Sequence, residues 1–205
     1  MPEHTISAFD ADLQALARMI SEMGGLAEKQ VIDSISALDR NDVALARRII
    51  ADDAKINAIQ HEIEEKVVFT IARRQPMAAD LREIIAALRI SNDLERIGDL
   101  AKNIAKRVSV LGDEFQPRQI MRGVEHMADL VLLQLKNVLD SYARRDVEKA
   151  VAVWRGDAEI DAVNNSLLRE LLTYMIEGKM LPDDRPKGDI TTSFSVPIEA
   201  ARKKS

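Results

Sequence analysis

Residues 41 onward match residues 145 onward without a gap, 104 places further along the chain. Val43 meets Val147, Ala46 meets Ala150, and Asp53-Ala54 meets Asp157-Ala158. Ile56 pairs with Ile160 and Ala58 with Ala162, while Ile59, Ile63 and Val67 pair with Val163, Leu167 and Leu171; upstream, Met23 meets Met127. The apolar matches fall three and four residues apart, the spacing of a helix face. A chain written this way repeats a helical unit in tandem, and such units pack as bundles of antiparallel neighbours joined by short loops.

The composition agrees. Aromatics are only 3% of the 205 residues, and the chain leans on Ala, Leu, Ile, Glu and Arg, which favours an all-α fold. The spacing predicts a first helix over about 6–38, through Leu13, Leu16, Ile20, Met23, Ala27, Val31, Ile35 and Leu38. Gly24-Gly25 interrupts it and predicts a kink or a close helix approach. "DRND" at 39–42 reads as a turn with Asp42 as N-cap. A second helix carries Val43 to Val67 and stops before Pro76. A third runs from about 77 to 111, its stripe formed by Ala87, Ile90, Leu94, Ile97, Ala101, Ile104 and Val108, before the break "GDEFQP".

The second copy is shorter. After "YMIEGKM" comes "LPDDRPKGDITTSFSVPIEAARKKS", with three prolines and no counterpart of the third helix. The expected organisation is therefore two tandem antiparallel three-helix bundles. The first spans 5–111, and the second, incomplete, spans 115–180 and is followed by a divergent tail over 181–205. A missing third helix leaves apolar faces around Leu139, Val153, Ile160, Leu167 and Leu171 in need of cover. That predicts a homodimer, helix exchange or a folded-back tail, with the tail read as the disrupted end of a longer gene. Trp154, where the first copy has Ile50, is expected in the core.

Several function classes are excluded. A net charge of -5 argues against nucleic-acid binding, and the absence of cysteine removes disulfides, thiolate metal sites and cysteine nucleophiles. No leader pattern and no long apolar run occur, so a cytoplasmic protein without direct membrane insertion is expected. The residues three before His4, His61 and His126 are Met1, Ala58 and Gly123, which disfavours a ferritin-like di-iron site. No G-x-x-x-x-G-K phosphate cradle exists. Arg73-Arg74 either binds an anion or simply suits the negative end of a helix dipole.

Chemistry concentrates in "SNDLERIGDLAKNIA" at 91–105. With Ile97 at the centre of the apolar stripe, Glu95 and Asp99 fall on the opposite side. They then belong to a solvated face, with Asp99 and Lys102 a weak surface pair. The preceding helix offers another reading. An antiparallel hairpin turning at Gln75-Pro76 sets Asp53 level with Gly98 and Asn57 level with Leu94. Asp53, Asn57, Glu95 and Asp99 can then converge as a four-oxygen set suited to a divalent cation. Asp157 and Asp161 are the corresponding pair in the second copy.

"NDLERIGDLAKNIA", "RRQPMAADLREI" and the segments "DAKIN" and "DAEID" resemble the PhoU family, regulators of phosphate uptake, over about residues 5–180. The resemblance implies two similar three-helix bundles with acidic E/D-x-x-x-D motifs associated with metal ions, often in multinuclear clusters. Glu95 and Asp99 take the motif positions of the third helix, Asp53 and Asn57 those of the second, and Asp157 and Asp161 those of the second copy. Asn57 departs from the usual acidic residue, and no second "ERIGD" occurs near the C-terminus. Fe, Zn, Mn, Mg and Ni are not distinguished. The implied function is a non-enzymatic cytoplasmic adaptor that represses phosphate-starvation signalling. It would do so by linking a phosphate ABC transporter ATPase to a phosphate-sensing histidine kinase. The alternatives are a metal-binding bundle with a storage or hydrolytic role and a scaffold without ligand.

Overall fold

Six α-helices make up the described part of the chain, residues 2–111 and 118–176 of a computed structural model. They are α1 (Pro2–Asp39), α2 (Val43–Arg74), α3 (Ala79–Leu111), α4 (Arg118–Arg144), α5 (Val147–Arg155) and α6 (Asp157–Ile176). Among the described residues there is no strand. The break at 112–117 and the tail at 181–205 lie outside the described residues.

The first three helices pack on one another along seams with alternating three- and four-residue steps. On α3 the buried positions are Ile84, Ala87, Ser91, Leu94, Gly98, Ala101, Ala105 and Val108. On α2 they include Ala46, Ile49, Asp53, Ile56, Ile63, Val67 and Thr70, and on α1 Leu16, Ile20, Met23, Ala27, Gln30, Ser34 and Ala37. This is the heptad rule of long helices that stay in contact, in which 3.5 residues per turn keep one seam facing the partner. Small residues let the backbones close in. A methyl group placed on Gly98 would lie 2.9 Å from Ile56 Cδ1 and 3.0 Å from Gln30 Oε1, so this one position touches both neighbouring helices.

The α3 seam differs from the predicted stripe. Ile90, Ile97 and Ile104 are only half-buried and flank it, while Ser91, Gly98 and Ala105 occupy its centre. Ala87, Leu94, Ala101 and Val108 are buried as the stripe predicts, but weighting it toward the large aliphatics turned the helix by roughly 50°.

Gly24-Gly25 is a close approach and not an end to α1, which runs through it. Gly24 is buried against Leu139 of α4, whereas Gly25 has open space around it. Through this contact and Leu135, α4 joins the core of the first three helices. One compact unit extends to Leu171; the second begins at Leu172 and is described only over the end of α6.

The repeat holds at the level of single hydrogen bonds. Asn41 and Arg145 both adopt positive φ, 50° and 54°. Asp42 N donates to Ala37 O and Asp146 N to Ser141 O, each at 2.9 Å. The Asp42 side chain accepts from Leu45 N at 2.8 Å and the Asp146 side chain from Lys149 N at 2.9 Å. The copies then part at Gly156, which stands where α2 has Asp52. There the second copy breaks into α5 and α6, with Gly156 N bonding back only three residues to Val153 O.

This half is thinly covered. No residue of α5 is buried, and Trp154, expected in the core, is 78% exposed. Its counterpart Ile50 packs on a cluster to which α3 contributes Ala105 and Val108, and no described helix does the same for Trp154. The uncovered apolar side chains include Val147, Val151, Trp154 and Leu168. The expected ones are better covered: Leu167 is buried under Gly123, and Leu139, Val153, Ile160 and Leu171 are half-buried.

The caps give a direct test. Asp42→Ala should lower stability by about 1 kcal/mol in urea unfolding, because α2 is part of the main core. Asp146→Ala should barely move the global midpoint and instead speed amide exchange across 147–155, because α5 buries nothing.

Candidate functional site

In long antiparallel helices each side chain leans toward its own N-terminus, so tips meet about one position beyond the level residue on each helix. The α2–α3 pair shows this offset. Gln60 Nε2 donates to Asn92 Oδ1 at 3.0 Å, Ile56 lies under Gly98, and Asp53 meets Lys102. The level pairing of Asp53 with Gly98 is thus displaced toward the C-terminal end of α3, and Asp53 is carried to the lysine.

Asp53 occupies a seam position of α2 and its side chain is 5% exposed. Its Oδ2 accepts from Lys102 Nζ at 2.6 Å and from Asn57 Nδ2 at 3.2 Å. Lys102 Nζ also donates to Asp99 Oδ1 at 2.5 Å. One ammonium therefore spans two carboxylates from two helices. The helix pattern makes Lys102 half of a weak surface pair; its side chain is instead 20% exposed and bound on both sides. The hydrogen bonds it donates to Asp53 and Asp99 raise the Lys102 pKa above its ordinary value, so it keeps its charge throughout the neutral range.

Glu95 stands beside this group, half-buried one turn before Asp99. Burial pushes its carboxyl pKa up, the charges of Asp99 and Asp53 push it further, and Lys102 opposes them. Of the residues singled out in the sequence, Asp53, Asn57 and Asp99 are joined around Lys102, and Glu95 feels their charge. Asp157 and Asp161 are apart from them, exposed on the first two turns of α6. Lys102 is the residue missed. An aspartate at a heptad seam position requires a cation, and that was the signal for it.

The arrangement does not fit a divalent metal ion. Such an ion needs several oxygen donors at about 2.0–2.6 Å, and one oxygen each of Asp53 and Asp99 is already turned to Lys102 Nζ. Asn57 presents its N–H to Asp53 rather than its oxygen to a cation. Asp53 Oδ1 and Gln30 Oε1 are buried without a hydrogen-bond partner, yet a second cation at Asp53 would sit against the ammonium that its other oxygen already holds. Among the described residues, no three His, Cys, Asp or Glu side chains are grouped to hold a metal.

The other candidates have structural roles. Asp12 of α1 accepts from Lys66 Nζ at 3.2 Å and from Arg74 Nε at 3.4 Å, which ties the ends of α1 and α2 together. Arg73 lies over the Phe69 ring, 5.6 Å from its centroid. A cleft of about 660 Å³ is lined by Leu13, Ile90, Val138, Tyr142 and Val147, with the Arg145–Glu83 ion pair among its polar groups.

These features define a class: an all-α repeat protein whose charged centre ties helices together. Two segments of the chain, 20–108 and 124–194, match the family model described as the PhoU domain, and the chain belongs to the PhoU family. It is 55% identical over 174 residues to the phosphate-specific transport system accessory protein PhoU homolog of Rhizobium meliloti (strain 1021), covering 85% of this chain and 73% of that protein. The accessory protein PhoU of Escherichia coli (strain K12) is 34% identical, with 85% and 72% covered. The crystal structure of PhoU from Pseudomonas aeruginosa superposes with a TM-score of 0.78 at 39% identity, covering 82% of this chain and 81% of that one. The family is one of accessory, regulatory proteins and not of enzymes. No described helix is long and apolar enough to cross a membrane.

Glu95 yields a pH-dependent expectation. Its raised pKa means the folded state binds the proton more tightly. The stability this contributes is present below the ordinary carboxyl value and is lost as pH rises through the folded value. Glu95→Gln should therefore raise the melting temperature at neutral pH, and the gain should fade below about pH 4.5. Melting curves of both proteins across that range measure it.

Proposed function

We propose that this chain is a cytoplasmic adaptor of phosphate transport. It contacts a phosphate ABC transporter ATPase and a phosphate-sensing histidine kinase, and it represses phosphate-starvation signalling when phosphate is plentiful. Its relatives' names place them in the phosphate-specific transport system, which supports partners from that system.

The observation that carries the reading is the face of α5. Val147, Val151 and Trp154 stand four and three residues apart on one stripe and are 74%, 39% and 78% exposed. Contiguous exposed apolar side chains of this size mark protein contact sites, and tryptophan is over-represented among the residues that dominate such contacts. The mechanism is reversible protein–protein contact. Self-association as a homodimer through the same half of the molecule belongs to this reading.

Trp154→Glu together with Val151→Glu should leave the melting temperature nearly unchanged, because neither side chain is part of the core. The same pair should reduce capture of the transporter ATPase and the kinase at least ~10-fold, as loss of a central aromatic anchor does. Undiminished capture of both partners by the double variant would refute a role for this face. Sedimentation of the two proteins reads the homodimer separately.

A further inference from the structure

We propose that the Lys102 ammonium is a built-in cation that stands in for a metal ion in the first three-helix bundle. The α2–α3 carboxylates are thereby held together without a bound metal. Asp53 and Asp99 come from different helices, and each turns an oxygen to the same nitrogen, at 2.6 and 2.5 Å. That is what a bridging cation does for two carboxylates: it offsets their repulsion and fixes the helices at one separation. Lys102 supplies the charge from the chain itself, on a side chain that is only 20% exposed. Two of its three donors have partners in Asp53 and Asp99, and Asn57 completes the set as a fourth polar group directed at Asp53.

The position of each residue makes the exchange chemically plain. Asp53 is at a buried seam position and cannot reach solvent, so removing the ammonium leaves an uncompensated charge inside the bundle. With the ammonium gone, the two oxygens released and the Glu95 carboxylate, one turn away on α3, have to draw closer than they now stand to make an all-oxygen set of the kind a hard divalent cation accepts. A single residue therefore decides between an internal ion pair and a cation site. The raised pKa of Lys102 agrees, because it keeps the ammonium charged at any pH at which the bundle is folded near neutrality.

The test uses the full chain with Mn2+ alone as probe. The melting temperature of the wild type should be the same in millimolar Mn2+ as in EDTA, apart from any shift that Asp53→Asn retains. Lys102→Met, which keeps the length and removes the charge, should melt about 5–10 °C lower in EDTA. Mn2+ should restore at least half of that loss. Lys102→Met/Asp53→Asn, which removes both charges, should melt above Lys102→Met in EDTA and should not respond to Mn2+. If Lys102→Met fails to fold in EDTA, a folded double variant and rescue of the single variant by Mn2+ are the expected results. Three results would overturn the proposal. One is a wild-type gain from Mn2+ that Asp53→Asn abolishes. Another is a Lys102→Met protein as stable as wild type or unresponsive to Mn2+. The third is a double variant no more stable than the single one.

Discussion

The close approach of α1, α2 and α3 at Gly98 sets the spacing on which the rest of the bundle depends. With no side chain there, Ile56 of α2 and the Gln30 amide of α1 both reach the α3 backbone. Ser91, Ala101 and Ala105 continue the narrow seam on either side, and the larger Leu94 and Val108 fill the layers between them. Packing at protein-interior density leaves little room for adjustment, so the tight layer also fixes where polar groups can go. Asp53 falls one turn before Ile56 on the same seam of α2. It is buried because its neighbours on that seam are buried.

Electrostatics follows from that placement. An ionised carboxylate away from water needs a charged partner with good geometry, and Lys102, four residues after Gly98, is in reach. Removing one member of such a pair costs about 3–5 kcal/mol, much more than an exposed pair would. The acidic stretch on α3 has a double character for this reason. Asp99 faces outward enough to be nearly half exposed, yet it is bound by the same ammonium as a carboxylate that is almost fully covered. Glu95, next in line, has its pKa raised by burial first and then by the charges of Asp99 and Asp53.

Helix order, the turn at Asp42 and its repeat at Asp146 were legible in the sequence, because caps and apolar spacing are local signals. The antiparallel α2–α3 hairpin was legible too, including the proximity of Asp53 to the acidic stretch. The rotation of α3 was not. Its seam is written in Ser91, Gly98 and Ala105, residues that carry little hydrophobic weight, while Ile90, Ile97 and Ile104 flank it. Backbone proximity selects for small volume, and a reading weighted by hydrophobicity turns such a helix the wrong way. The same error hid Lys102, which moves from a solvated face to the edge of the core once the helix is rotated. Trp154 failed for the opposite reason: a large aromatic at a core-equivalent position is buried only if a neighbouring helix covers it.

Gly156 has a consequence for motion. It cuts what is a 32-residue helix in the first copy into a piece of nine residues followed by one of twenty. Isolated helices shorter than about 12–15 residues are marginal in water, and α5 has no buried side chain to offset that. Its order rests on the Asp146 cap at one end, the single turn at Gly156 at the other, and a half-buried contact with α4 that includes the Lys149–Asp140 ion pair. Among the described helices α5 is accordingly expected to open ahead of the main core, fast on the scale of global unfolding. A protein that grips it must supply the free energy of ordering it, which lowers affinity for a given contact area. The same glycine that shortens the helix thus favours contacts that are made and released quickly.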